Sequence, residues 1–232
     1  MAKDVIIACD FSSKAEVTDF LDKFCDEKPY LKIGMELFYS QGPEIVREIK
    51  KRGHKIFLDL KLHDIPNTVE RTMEALSYLD IDMCNLHASG GSAMMRAALS
   101  GLSKRASRPK LIAVTQLTST DAETMNKELL IERQLDEVVM SYAKNAAASG
   151  LDGVVCSPLE AAKVKSVCGE SFLTVTPGVR FSDSAKDDQK RVTTPKRARE
   201  LGSDYIVVGR PITKAQNPQE AYRRCVFEFL GK

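Results

Sequence analysis

One stretch of the chain, residues 57–68, concentrates side chains that can do chemistry and reads FLDLKLHDIPNT. Its leucines alternate with Asp59 and Lys61, so a strand here turns the leucines to one face and both charges to the other. Residues two apart on a strand are separated by roughly 6.6 Å, so the two charges can share one pocket. Asp64 and the hydroxyl of Thr68 follow just past the strand. The stretch therefore predicts a charge network built around one lysine.

Spacing alone leaves a second interpretation open, in which the charges form a solvated strand edge or a structural ion pair. The three leucines argue against it, because an apolar strand face packs against other elements. Buried charges are costly unless paired, and charged clusters held in clefts are enriched at functional sites. Neighbouring carboxylates keep Lys61 in its charged form, which makes it a candidate general acid rather than a Schiff-base nucleophile.

The elements that position this stretch alternate regularly along the chain. Strands are predicted at 5–10, 30–34, 57–62, 83–88, 110–117, 153–157, 172–177 and 205–210. Helices are predicted at 14–26, 42–52, 68–78, 92–104, 135–149, from 159, at 195–201 and at 218–230. Alternation calls for a parallel sheet covered by helices, and eight such units favour a closed (β/α)8 TIM barrel. No linker divides the chain, so residues 1–232 are predicted to form a single domain.

Active sites of such barrels are built at the C-terminal ends of the strands. Polar residues recur at these predicted ends: Asp10, Lys32, Asp59, Lys61, Thr118, Arg180 and Arg210. A lone charge at a strand end is usually structural. Convergence of all of them on one barrel mouth favours a binding and catalytic site.

The last two units predict a phosphate site, since the loops after the seventh and eighth strands of barrels often bind phosphate. Gly209 allows close approach of the backbone, and Arg210 offers a two-pronged hydrogen-bond donor. A structural role for this pair stays open. The long polar loop after the seventh strand carries Arg180 and Gln189 and is predicted to be a lid, with a merely solvated loop as the alternative.

Composition excludes several classes of protein. The net charge of +2 provides no overall field for nucleic acid or membrane binding. We expect a soluble cytoplasmic protein, because the N-terminus lacks a secretory signal and no apolar run reaches the roughly 18 residues of a membrane helix. Six scattered cysteines without a CxxC pattern suit a reducing compartment. The three histidines show no metal-ligand spacing, and no P-loop or GxGxxG is present.

At these residues the chain resembles the bacterial type of orotidine 5'-monophosphate decarboxylase. The family's D-x-K-x-x-D-I-x-x-T motif matches residues 59–68, DLKLHDIPNT. Further matches are ACDF at 8–11, LKIGMELF at 31–38, NLHASGG at 85–91, VTQLTS at 114–119, TPGVR at 176–180 and VVGRPIT at 207–213. The D-x-K-x-x-D core is shared with relatives that act on sugar phosphates. The LTS segment and the loop from TPGVR to Gln189 are more selective.

The resemblance implies decarboxylation of orotidine 5'-monophosphate to UMP, the last step of de novo pyrimidine nucleotide biosynthesis, without cofactor or metal. It implies a homodimer in which Asp64, Ile65 and Thr68 of one subunit complete the site of the other. Within that site, Lys61 protonates C6 of the pyrimidine, Asp59 and Asp64 hold its ammonium in place, and Lys32 belongs to the same catalytic charge network. The remaining residues bind substrate: Asp10 and Lys32 the ribose, Thr118 the pyrimidine edge, and Arg180, Gln189, Gly209 and Arg210 the phosphate.

Two alternatives stay open. One is a Mg²⁺-dependent decarboxylase or aldolase of the same superfamily acting on a sugar phosphate. The other is a non-catalytic barrel that binds a nucleotide, although binding alone does not call for a lysine clamped between carboxylates.

Overall fold

The chain forms a closed barrel of eight parallel strands in a computed structural model, which describes residues 3–24, 26–183 and 193–231. Each strand pairs with its neighbours in the chain, and the eighth pairs with the first. The strands are β1 (Asp4–Ala8), β2 (Tyr30–Gly34), β3 (Ile56–Leu62), β4 (Met83–His87), β5 (Lys110–Val114), β6 (Gly153–Val155), β7 (Leu173–Thr176) and β8 (Tyr205–Val208). The predicted (β/α)8 TIM barrel is confirmed.

Helices surround this barrel. They are α1 (Lys14–Leu21), α2 (Met35–Gln41), α3 (Glu44–Lys51), α4 (Pro66–Ser77), α5 (Gly91–Leu102), α6 (Ala122–Lys127), α7 (Leu135–Ala148), α8 (Ala161–Cys168), α9 (Pro195–Glu200), α10 (Arg210–Thr213) and α11 (Pro218–Leu230). The short helices α2, α6 and α10 were not predicted from the sequence. Gly42, with φ +69°, ends α2 and turns the chain before α3, so the helix predicted from residue 42 begins only at Glu44.

Two apolar layers hold the barrel together. Alternate strand residues point outward and pack against the helices, as Leu58 and Cys84 do. The residues between them fill the lumen with Ile6, Tyr30, Phe57, Met83, Ile112, Leu173, Tyr205 and Val207. The same alternation continues toward the C-terminal ends of the strands, where Lys32, Asp59 and Asn85 follow Tyr30, Phe57 and Met83. A polar layer therefore closes the apolar lumen at this end.

The same aspartate interaction recurs at three places at the opposite end of the barrel. In each, an aspartate directly before an even-numbered strand accepts a hydrogen bond from a backbone N–H in the preceding odd-numbered strand. The three pairs are Asp82 with Ile56 at 2.7 Å, Asp152 with Leu111 at 2.7 Å and Asp204 with Thr174 at 2.9 Å. Each aspartate also pairs with a cation, respectively Lys50, Arg108 and Lys165. These charges stabilise the strand register, as expected for the N-terminal face of a barrel.

The five described cysteines are all free, and four of them are buried. Cys84 lies in β4, while Cys9 and Cys156 directly follow β1 and β6. These three therefore behave as small buried hydrophobes. Among the described residues, no helix has the length and apolarity needed to cross a membrane.

Candidate active site

The barrel mouth brings Asp10 and Lys32 together. Lys32 projects from β2 into the top of the lumen, and Asp10 lies two residues beyond β1. The Nζ of Lys32 donates to Oδ1 of Asp10 at 2.9 Å and lies 3.4 Å from Oδ2 of Asp59. The side chain of Lys32 is 11% exposed, whereas that of Asp10 is 60% exposed. The buried ammonium therefore links an open carboxylate to an inner one.

The inner carboxylate, Asp59, is shared by two lysines. The Nζ of Lys61 donates to its Oδ1 at 2.7 Å, while Lys32 approaches its other oxygen. The side chain of Lys61 is 25% exposed and that of Asp59 11%, so the lysine is the more accessible of the two. The network thus runs Asp10, Lys32, Asp59, Lys61, with alternating charge and a lysine at its accessible end.

Electrostatics keep both buried members charged. Burial raises the pKa of the Asp59 carboxyl, but the charges of Lys32 and Lys61 and the hydrogen bonds from Lys61 and Asn85 outweigh this and hold it below its usual value. Burial likewise lowers the pKa of Lys32, and the nearby carboxylates of Asp59 and Asp10 reverse the effect, so its pKa is raised. At neutral pH the buried carboxylate of Asp59 and the buried ammonium of Lys32 are therefore both charged.

Gly34, at the end of β2, provides the room for this array. A Cβ at this position would lie 3.1 Å from Nζ of Lys32 and 3.4 Å from Oδ1 of Asp10. The first distance is tighter than ordinary van der Waals contact, so a larger residue would push the ammonium aside.

Asn85 joins the network although the sequence did not single it out. Its Nδ2 donates to Oδ1 of Asp59 at 2.7 Å, and its Oδ1 accepts the backbone N–H of Lys61 at 2.8 Å. The side chain is buried. Period-two alternation in β4 could have found it, because Met83, Asn85 and His87 share one strand face and only Met83 is an ordinary lumen residue.

Asp64, Ile65 and Thr68 lie at the rim and are exposed. Within the described residues Asp64 makes no ion pair with Lys61, and its carboxylate accepts the N–H of Ile65 at 2.7 Å. Pro66 starts α4 directly after Asp64 and Ile65, so the rim loop ends at Ile65. Ile65 is 66% exposed. A single chain therefore brings together only part of the predicted set.

Two of the histidines that the sequence places far apart meet at the mouth. The rings of His63 and His87 have their centroids 5.7 Å apart. Burial, and then the charges of His63 and Lys61, lower the pKa of His87, so its imidazole is neutral at pH 7. No group of three or more His, Cys, Asp or Glu residues in the described ranges is arranged to hold a metal ion.

The remaining predicted residues follow β5, β7 and β8. Thr118 and Arg180 are half-buried, and Arg210 is exposed as the first residue of α10. The backbone N–H of Arg180 donates to the carbonyl of Thr193 at 2.9 Å, joining the two described ends of the long loop. A Cβ on Gly209 would lie 3.6 Å from Cβ of Ala8, an ordinary contact, so packing within the chain does not require glycine there. Gln189 lies outside the described residues.

Comparison with known proteins shows which family the chain belongs to. Residues 3–225 match the Orotidine 5'-phosphate decarboxylase / HUMPS family. The chain belongs to this family. The orotidine 5'-phosphate decarboxylase of Bacillus cytotoxicus is 59% identical, with 100% of this chain and 99% of that protein aligned. The enzyme of the same name from Bacillus mycoides is 58% identical, with the same coverage.

Solved structures of similar chains have the same fold. A crystal structure of orotidine 5'-phosphate decarboxylase from Lactobacillus acidophilus has a TM-score of 0.89 and 44% identity, and covers 98% of this chain and 99% of that chain. An uncharacterized conserved protein from Geobacillus kaustophilus has a TM-score of 0.88 and 49% identity, and covers 97% of this chain and 99% of that chain. Membership of the family therefore extends over nearly the whole barrel, including every strand that contributes to the mouth.

Proposed function

We propose that the chain decarboxylates orotidine 5'-monophosphate to UMP without a metal or cofactor. The observation that carries the proposal is the pair formed by Lys61 and Asp59, with 2.7 Å between Nζ and Oδ1 at an accessible barrel mouth. Similarity to relatives named for this activity, at up to 59% identity over the full chain, supports the choice of substrate.

The chemistry follows from these charges. The bond between C6 and the substrate carboxylate breaks, CO2 leaves, and the electron pair stays on C6 in the plane of the ring, where it is poorly delocalised. The ammonium of Lys61 stabilises that negative charge and then transfers a proton to C6, giving UMP. The Lys61 amine regains a proton from water. Asp59, fixed beside Lys61, keeps the ammonium aimed at C6 and disfavours the substrate carboxylate next to it.

Phosphate binding completes the proposal at the other side of the mouth. Arg210, Gly209 and Arg180 come from the loops after β7 and β8, which in barrels of this kind often bind phosphate. Gln189 joins them by resemblance alone. Binding energy from a phosphate remote from C6 can close the loop after β7 and so raise the rate of the chemical step. Asp10 and Lys32 are assigned to the ribose hydroxyls, and Thr118 to the pyrimidine edge.

A homodimer is part of the proposal. Asp64 and Thr68 are exposed at the rim, and Ile65 between them exposes 66% of its surface. Burial of this rim against a second copy would bring Asp64 to the ammonium of the partner's site and cover the isoleucine. We assign this enzyme to the cytoplasm, where its free cysteines stay reduced.

The test is turnover of orotidine 5'-monophosphate by the purified chain in the presence of EDTA, followed by the ultraviolet change from an orotate to a uracil ring. Rapid turnover insensitive to EDTA supports the proposal. Turnover of a sugar phosphate that needs added Mg²⁺ would instead assign the chain to the other branch of its family. Binding of UMP without any turnover would indicate a non-catalytic barrel.

A further inference from the structure

The pairing of β3 with β4 is interrupted where the site is built. Leu58 pairs with Cys84, and the next pair is Leu62 with Leu86. Three residues of β3, 59–61, therefore face a single residue of β4, Asn85. Bulges of this kind change the direction of side chains and are common next to active sites. Here the bulge contains both members of the Asp59–Lys61 pair.

Lys61 takes an uncommon backbone conformation within this bulge. Its φ is +51°, in the left-handed region that L residues other than Asn and Asp rarely adopt. The N–H of this residue donates to Oδ1 of Asn85 at 2.8 Å. A side-chain amide thus bonds to the backbone within the gap in the strand ladder, at the residue of β3 that has a positive φ.

The other end of the same amide holds the carboxylate. Nδ2 of Asn85 donates to Oδ1 of Asp59 at 2.7 Å, the same oxygen that accepts from Nζ of Lys61. The orientation of the amide follows from its partners, since a backbone N–H requires the oxygen and a carboxylate requires the NH2 group. Asn85 is 1% exposed, so neither bond is exchanged with bulk water.

We propose that Asn85 is a positioning residue, which fixes the relative orientation of the Asp59 carboxylate and the Lys61 side chain. The inference rests on the proposed function for its catalytic consequence, because that function assigns the chemistry to this pair. Aspartate at position 85 would keep the acceptor for Lys61 but set a second carboxylate against Asp59. Leucine, of similar size, would remove both bonds.

In Asn85→Leu we expect kcat to fall about 100-fold, the effect of misplacing a reacting group by about an ångström. The dissociation constant for UMP should change less than about threefold, because UMP lacks the carboxylate and keeps its phosphate and ribose contacts. The acid limb of kcat should move to higher pH, since Asp59 loses a hydrogen bond that favours its charged form. Thr174→Val is the matched control: it removes buried hydrogen bonds to Asp204 at the other end of the barrel and should leave kcat and its pH profile unchanged.

The second variant is Asn85→Asp, which keeps the size of the side chain. It provides the test if Asn85→Leu does not fold. A fall in kcat of at least about tenfold supports the proposal, and a kcat unchanged in a folded variant overturns it. Crystal structures of the variants give a readout that needs no turnover. Movement of Lys61 or of the Asp59 carboxylate supports positioning, while unmoved groups overturn it even if kcat falls. Failure of the wild-type chain to turn over orotidine 5'-monophosphate would refute the proposed function alone.

Discussion

Lys32 and Asp59 approach to 3.4 Å between Nζ and Oδ2, and this contact joins two parts of the site. On one side, Lys32 holds Asp10 at the open mouth. On the other, Asp59 holds Lys61 at the position assigned to the chemistry. Because Lys32 and Asp59 each have an opposite charge beside them, both stay charged in a place where a single buried charge would be neutralised.

This arrangement predicts how stability depends on pH. The pKa of Asp59 is lower in the folded chain than its ordinary value of about 3.9, so the unfolded chain binds the proton more readily. The Asp59 carboxylate therefore contributes to the free energy of unfolding at pH values above about 3.9, and this contribution is lost as the pH falls through its folded-state pKa. Urea unfolding followed by circular dichroism from about pH 7 to about pH 3 should therefore show a steeper loss for the wild type than for Asp59→Asn. Equal slopes would contradict the ionic account.

Gly34→Ala tests the space around the network. The added Cβ would lie 3.1 Å from Nζ of Lys32, so the ammonium must shift by a few tenths of an ångström. We expect kcat to fall about tenfold with little loss of stability, because the far end of a flexible side chain gives way. Thr174→Val, which changes a buried residue at the opposite end of the barrel, is the control and should preserve kcat. A Gly34→Ala enzyme with full kcat would show that the position of Lys32 is not critical.

The alternating pattern of residues 57–62 predicted that Asp59 and Lys61 lie together, and they do. The structure brings them together by a different route for each residue. Alternation places Asp59 in the lumen, as expected. Lys61 reaches it through a left-handed backbone and a register shift against β4, which a period-two pattern does not encode. The role of Asn85 depends on that shift. It therefore could not be derived from β3 alone.

The helices show a similar limit. The last helix was predicted at 218–230, and α11 has these bounds. Its start is marked by Asn217, whose side chain accepts the N–H of Glu220 at 3.2 Å and caps the first turn. α2 was missed because it has only seven residues, starts directly after β2 and ends at Gly42. Short helices of this kind give weak periodicity, and packing against the barrel decides whether they form.

Arg210→Ala tests the proposed phosphate site. Loss of a charge-assisted contact should lower kcat/KM for the nucleotide about 10- to 100-fold more than for the nucleoside that lacks phosphate. Initial rates on both substrates measure the difference. Arg47→Ala, which removes an exposed guanidinium paired with Glu44 on α3, is the matched control and should leave both rates unchanged. Equal losses on both substrates would place Arg210 outside phosphate recognition.

Mixing two inactive variants tests whether Asp64 acts across a dimer interface. Lys61→Ala and Asp64→Asn should each be inactive alone, yet a mixed dimer would contain one site with both native residues. After random exchange of subunits, about one quarter of the sites should be intact. Recovery of activity on mixing, measured after partial unfolding and refolding of the two chains together, is the expected result. No recovery, with mixed dimers demonstrated by a mass tag, would place Asp64 in its own subunit's site.

The most direct test of the central claim is kcat of Lys61→Ala on orotidine 5'-monophosphate beside the wild type. General acid catalysis and electrostatic stabilisation each contribute a factor of about 10² to 10³, so the loss should exceed about a thousandfold. Binding of UMP, measured by calorimetry, should remain, because the ribose and phosphate contacts do not involve this side chain. A Lys61→Ala enzyme within about tenfold of the wild-type rate would contradict the assignment of proton transfer to Lys61.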